Sequence, residues 1–205
     1  MKIEKLPKKF EAIWKKALPL LRKGRPGDDF HSKETVETIL SYQKSLKLNL
    51  DILVPVGMLH DIGHSAIMPE HFSYITGFDK VSNGKLVHML VGAKIANDIL
   101  SSLRYDKKKT KEIVDIISMH DFDQLKGFDA RAFYNSRNKK IFHDIDSMDR
   151  FNARRLQSFI PKGDKAGGEK MMRLLKESLN QFFYGHFKKI AQKNLEVLRK
   201  DLSIG

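Results

Sequence analysis

The sequence contains no cysteine, which excludes disulfides and thiolate-bound structural zinc. Any metal centre must therefore be built from His, Asp and Glu. Long apolar runs are missing too, since none approaches the roughly 20 residues that cross a bilayer. The start Met1-Lys2-Ile3-Glu4-Lys5 has neither the apolar segment nor the small-residue cleavage site of a secretory signal. The expectation is a cytoplasmic protein with no membrane partner. No glycine-rich RNA-binding signature, zinc finger, basic zipper, internal repeat or low-complexity tract is present.

Acidic residues are scarce relative to basic ones, with 25 Asp+Glu against 38 Lys+Arg, a net charge of +13 and a pI near 9.8. That balance favours acidic partners: nucleotides, other phosphorylated metabolites or nucleic acid. Much of it falls in what read as solvated helical turns, such as Lys107-Lys108-Lys109 and Lys188-Lys189. Hydrophobic residues make up 41% and charged residues 31% of 205 residues, enough for one core that buries roughly 70% of the unfolded surface. A single domain over 1–205 is expected, with helical extensions at both ends; the oligomeric state is left open.

Every strong periodicity is near 3.6, so the predicted fold class is all-α, a bundle of about seven helices. Phe10, Ile13, Trp14, Ala17, Leu18 and Leu21 mark a first helix that Pro19 should kink or end. After the loop Gly24–Asp29, Asp28 or Asp29 caps a helix from about Phe30, with His31 in its first turn. Asn49 or Asp51 opens a helix through His60 and Asp61, and Gly63 allows close backbone approach or a helix end. Residues 68–83 read as an irregular connection and a flap over the site. Ser82 or Asn83 then caps a helix through His88 to Leu100. A further helix begins near Thr110 and reaches His120, and a break at Gly127 precedes one containing Ile141 to Phe151. A final stripe from Glu169 carries Leu175, Leu179, Phe183 and Phe187 at four-residue spacing.

The run Leu59-His60-Asp61-Ile62-Gly63-His64 carries the most chemistry. An unpaired carboxylate beside the apolar run Ile52–Leu59 costs several kcal/mol to bury, and a bound cation removes that cost. With His31 and Asp146, this doublet offers two imidazoles and two carboxylates from three helices. Such a set suits Mn, Fe, Co, Ni or Zn, and Mg less well.

A lone His, then His-Asp, then a distant Asp in a helical chain resembles the HD superfamily of metal-dependent phosphohydrolases. The resemblance runs from about His31 to Phe151. It rests on His31-Ser32-Lys33-Glu34-Thr35-Val36, His60-Asp61-Ile62-Gly63-His64, His88-Met89-Leu90-Val91-Gly92-Ala93 and Asp144-Ile145-Asp146-Ser147-Met148-Asp149-Arg150. It implies metal ligation by His31, His60, Asp61 and Asp146. Asp144 competes for the last role; Asp146 is preferred because family members with similar segments ligate through the second aspartate of Asp-X-Asp. His64, His88 and His120 are expected to hold a second ion or to act on phosphate and protons, so one or two ions are implied, with Asp61 as the bridge.

Asp144 or Asp149 would orient a ligand from behind it. Arg150 and Arg154 share a helix face that could reach substrate phosphate. His71, His143 and His186 are assigned surface or packing roles. The implied activity is attack of metal-activated water on a phosphoester or phosphoanhydride, with a small nucleotide as the leading substrate. The chain lacks the Gly-Tyr-Pro extension of cyclic-di-GMP phosphodiesterases and the Glu-Asp pair of alarmone hydrolases. Two other classes fit less well: a noncatalytic, metal-stabilised regulatory or nucleic-acid-binding domain, and a di-iron oxygenase of HD type.

Overall fold

A computed structural model describes residues 1–74, 80–125, 127, 129–152 and 165–201. Among them are eight α-helices, some short 3₁₀ turns and no strand, so the chain is all-α. Its contacts divide it into two compact units, Met1–Phe142 and His143–Gly205. No helix among the described residues is long and apolar enough to cross a membrane.

In the first unit α1 (Glu11–Lys23) buries Ile13, Trp14, Ala17 and Leu21. Pro19 does not end it. Pro19 and Lys15, the residue whose carbonyl loses its N–H partner, are both exposed, so water can take that carbonyl and the helix runs on for another turn. Gly27, at φ 92°, turns the chain into α2 (Asp28–Tyr42), which starts earlier than the cap pattern suggested and keeps His31 in its first turn.

Next comes α3 (Leu50–Leu59), in which Ile52 to Leu59 are all buried. A helix apolar on every side belongs in the middle of a core, and α3 packs against both α2 and α5 (Lys107–Ile117). At Gly57 the helices α2 and α3 lie so close that a Cβ would stand 3.0 Å from Val36 Cγ2 and 3.1 Å from Ile39 Cδ1. Burying each such Val, Leu or Ile is worth about 1.5–3 kcal/mol, which makes α3 the fixed member against which the site is built.

The expected helix through His60 and Asp61 stops at Leu59 and gives way to a 3₁₀ turn, Ile62–Ala66. That turn packs on α4 (Lys80–Ser102) and on α1. Between them, Pro69–Tyr74 forms another 3₁₀ turn, while residues 75–79 of the expected flap lie outside the described residues. The start of α5 is capped by Asp106, whose Oδ1 accepts from Lys109 N at 2.9 Å, three residues ahead of the expected start at Thr110. At its other end α5 stops at Ile117, so His120 falls beyond the helix rather than within it. The expected break is present at Gly127, φ 72°.

Helix α6 (Arg137–Met148) carries Asp144 and Asp146, followed by the turn Asp149–Phe151. Within the second unit, the single terminal stripe anticipated from Glu169 is two helices, α7 (Lys165–Ser178) and α8 (Gly185–Asp201). The continuous four-residue spacing is interrupted because buried Asp144 takes the N–H groups of Phe183 (3.0 and 3.1 Å) and Tyr184 (2.8 Å). Amides held by a carboxylate are no longer available to continue a helix.

Candidate metal centre

Four helices of the first unit, with the turns that follow two of them, bring chemistry to one point. The start of α2 supplies His31, the end of α3 and the turn after it supply His60, Asp61 and His64, and α4 with the turn after α5 supplies His88 and His120. His31, His60, Asp61, His88 and His120 are all buried. Gly63 makes this convergence feasible, because its backbone lies directly on α4. A Cβ there would stand 2.0 Å from His88 O and 2.7 Å from Gly92 N.

Five imidazole Nε2 atoms surround the Asp61 carboxylate. On the Oδ2 side lie His60 at 3.5 Å and His31 at 3.8 Å; on the Oδ1 side lie His64 at 3.7 Å, His88 at 3.8 Å and His120 at 3.7 Å. His31 and His60 face each other Nε2 to Nε2 at 3.0 Å, and His88 and His120 do so at 3.3 Å. These separations match the edges of a coordination shell: with bonds of about 2.0–2.2 Å and angles of 90–120°, neighbouring ligand atoms stand about 2.8–3.8 Å apart. His31, His60 and Asp61 form one group able to hold an ion, and Asp61, His88 and His120 form another.

Protonation points the same way. His60 Nδ1 lies 3.2 Å from Gly57 O, His88 Nδ1 3.4 Å from Gly84 O and His120 Nδ1 2.8 Å from Ile117 O. A carbonyl only accepts, so each ring carries a proton on Nδ1 and turns Nε2 inward, the atom that binds a metal when the ring is neutral. His88 and His120 therefore confront Nε2 to Nε2 at 3.3 Å, an arrangement that a shared cation reconciles. His64 Nε2 is buried without a hydrogen-bond partner among the described residues. Burial pushes the His64 imidazole down to about 4 against the pull of Asp61, and pushes His88, beside His120, down to about 3. Burial would raise the Asp61 carboxyl, but His60, His120, Arg25 and His31 hold it well below the usual carboxylate range. An ionised carboxylate ringed by imidazole nitrogens, with His64 and His88 held neutral by burial, is a donor set able to hold divalent ions.

Some surrounding residues escaped the sequence reading. Arg25 Nη2 donates to Asp61 Oδ2 at 2.9 Å, and its Nε donates to buried Asp28 at 3.1 Å. Burial and the Asp61 charge raise the Asp28 carboxyl, against the pull of Arg25. Asp121 Oδ2 lies 3.8 Å from His88 Nε2 and 3.4 Å from Lys85 Nζ. His120-Asp121 repeats the doublet His60-Asp61, a signal that could have drawn attention to Asp121; a lone arginine in a loop gave none.

The remaining candidates belong to the second unit. Asp146 is half-buried near the end of α6. Asp144 is fully buried, anchors the chain before α8, and lies 3.0 Å from buried His143 Nδ1. Asp149 and Arg150 sit in the turn after α6, where Arg150 Nη1 donates to Gln181 at 3.4 Å. Arg154 lies outside the described residues.

A family model described as HD domain matches residues 29–153, more than half of the chain. No curated protein and no solved structure matches it. The matched span contains every histidine and aspartate of the centre, and the chain belongs to the HD domain family, the superfamily of metal-dependent phosphohydrolases.

Proposed function

We propose that this protein is a metal-dependent phosphohydrolase acting on a small phosphorylated substrate of nucleotide type. The observation that carries the reading is the convergence of five imidazole Nε2 atoms on the two oxygens of one buried carboxylate. His31, His60 and Asp61 would hold one divalent ion; Asp61, His88 and His120, with His64, would hold a second. An ion bound there supplies activation of water at neutral pH and Lewis-acid polarisation of a phosphoryl oxygen.

The chain's own residues do the rest. The Nδ1–H bonds of His60, His88 and His120 to backbone carbonyls fix ring orientation before any ligand arrives, which spares the reorganisation that a pliable shell would require. Burial keeps His64 and His88 neutral and strengthens every charge interaction inside. Asp61, shared by both groups, ties the two together. Asp146 is proposed as a further ligand on the strength of the family resemblance, and the +13 charge suits an anionic substrate.

Elemental analysis combined with a screen of nucleotides and phosphoesters in Mg, Mn, Fe, Co, Ni and Zn tests the reading. Turnover is expected, and His60→Ala and Asp61→Ala should lose metal and turnover together. Full activity in either variant, or a metal-loaded wild type inert to every phosphoester, refutes it.

A further inference from the structure

Two cationic side chains among the described residues border the centre, and they differ in what they have left to give. Lys85 Nζ is taken up by Asp121 at 3.4 Å and by Gln124. Arg25 is gripped along one edge only. Its backbone N–H donates to Asp28 Oδ2 at 2.8 Å, its Nε to Asp28 Oδ1 at 3.1 Å and its Nη2 to Asp61 Oδ2 at 2.9 Å. The side chain is 47% exposed, and no described residue takes its Nη1 hydrogens.

The loop is shaped to hold it there. Gly27 has φ 92°, and a Cβ at Gly24 would stand 2.9 Å from Asp28 Oδ2 and 3.3 Å from His64 Cβ. A guanidinium anchored by Nε, aimed by one Nη2 hydrogen at the carboxylate shared by both ligand groups, and open along its Nη1/Nη2 edge presents a preorganised fork to anything entering the centre from solvent.

We propose that Arg25 receives the phosphoryl group hydrolysed at this centre and selects a terminal phosphoryl group over an internal diester. The proposal rests on the phosphohydrolase reading above. A fork engages two oxygens of one phosphate, and the His/Asp centre needs at least one more. A terminal phosphoryl group has three non-bridging oxygens and satisfies both; a diester has two and leaves one demand unmet. The substrate class is thus a phosphomonoester or a chain ending in a free phosphate. Arg25, absent from the sequence-based candidates, takes the role that Arg150 and Arg154 were expected to play.

The test uses the full chain loaded with Mn, in wild-type, Arg25→Ala and Arg25→Lys forms. Metal per chain is measured by elemental analysis, inorganic phosphate binding by isothermal titration, and turnover with p-nitrophenyl phosphate and bis(p-nitrophenyl) phosphate. All three forms should hold equal metal. Arg25→Ala should bind phosphate about 10–100-fold more weakly, the loss of a charge-assisted bidentate contact. Arg25→Lys should recover only part of that, because charge returns without the fork. The kcat/KM for the monoester should fall by a similar factor and that for the diester far less.

Wild-type phosphate affinity in Arg25→Ala overturns the proposal, as does loss of metal in that variant, which would make Arg25 a prop for the centre. Equal losses on both esters overturn the selectivity. A wild type that binds phosphate through Arg25 yet turns over neither these esters nor any nucleotide or phosphoester of the screen above refutes the hydrolase reading and leaves the anion receptor standing.

Discussion

Replacing Gly63 by alanine should dismantle the centre without touching a ligand. The added Cβ would stand 2.0 Å from His88 O, 2.7 Å from Gly92 N and 2.9 Å from the His88 carbonyl carbon, where even 3.0 Å is closer than real Cβ atoms come. All three neighbours are backbone of α4, so no side chain can swing aside. The turn carrying His64 and the helix carrying His88 must separate by about 1 Å or more, whereas metal–ligand distances tolerate only about ±0.2 Å. The overpacking itself costs about 1–3 kcal/mol or more, and loss of ligand support typically weakens metal binding about 10–100-fold. Urea unfolding of the metal-free protein and Mn titration of the refolded protein report the two effects separately. An alanine variant with both the wild-type unfolding midpoint and the wild-type Mn affinity would show that this backbone contact does not position the ligands.

Other perturbations read other parts of the structure. For His64 and His88 the folded pKa values, about 4 and about 3, lie below the unfolded value of about 6.5. The unfolded chain therefore binds more protons in between, and stability of the metal-free protein should fall as pH drops below about 6.5 and stay level above it. A urea midpoint that rises between pH 7 and pH 5 would contradict the burial of neutral imidazoles. Asp144→Ala should cost about 1–3 kcal/mol by stripping the Phe183 and Tyr184 amides of their acceptor, with metal content retained; loss of metal with unchanged stability would instead make Asp144 a ligand. Divalent metal at about 100 times its Kd should stabilise the folded chain by about 2.7 kcal/mol, and His60→Ala should abolish most of that gain in a thermal shift assay.

The residues legible in the sequence were those whose chemistry is unusual for their place. A histidine on an apolar helical stripe is costly unless it has a task, so His31, His60, His88 and His120 could be singled out before any coordinates, together with the buried charge of Asp61. Periodicity located most of the helices because burial of one face is what creates it. Boundaries were less legible where a distant group decides them. The break between α7 and α8 depends on Asp144, which is 39 residues before Phe183 in the chain, and the stripe Leu175, Leu179, Phe183 and Phe187 carries no trace of that bond. Arg25 and Asp28 were missed for a similar reason. A loop arginine acquires meaning only from what it touches, here the oxygen Asp61 Oδ2, and nothing local in Gly24-Arg25-Pro26-Gly27 announces that partner.

X-ray absorption at the metal edge of the zinc- or cobalt-loaded protein tests the centre most directly. Imidazole scattering with metal–nitrogen distances of about 2.0–2.1 Å, lost in step when His60 and His88 are replaced, is the expected spectrum. A shell of water oxygens alone, with no imidazole signature and no response to those replacements, would contradict a centre built from His31, His60, Asp61, His88 and His120.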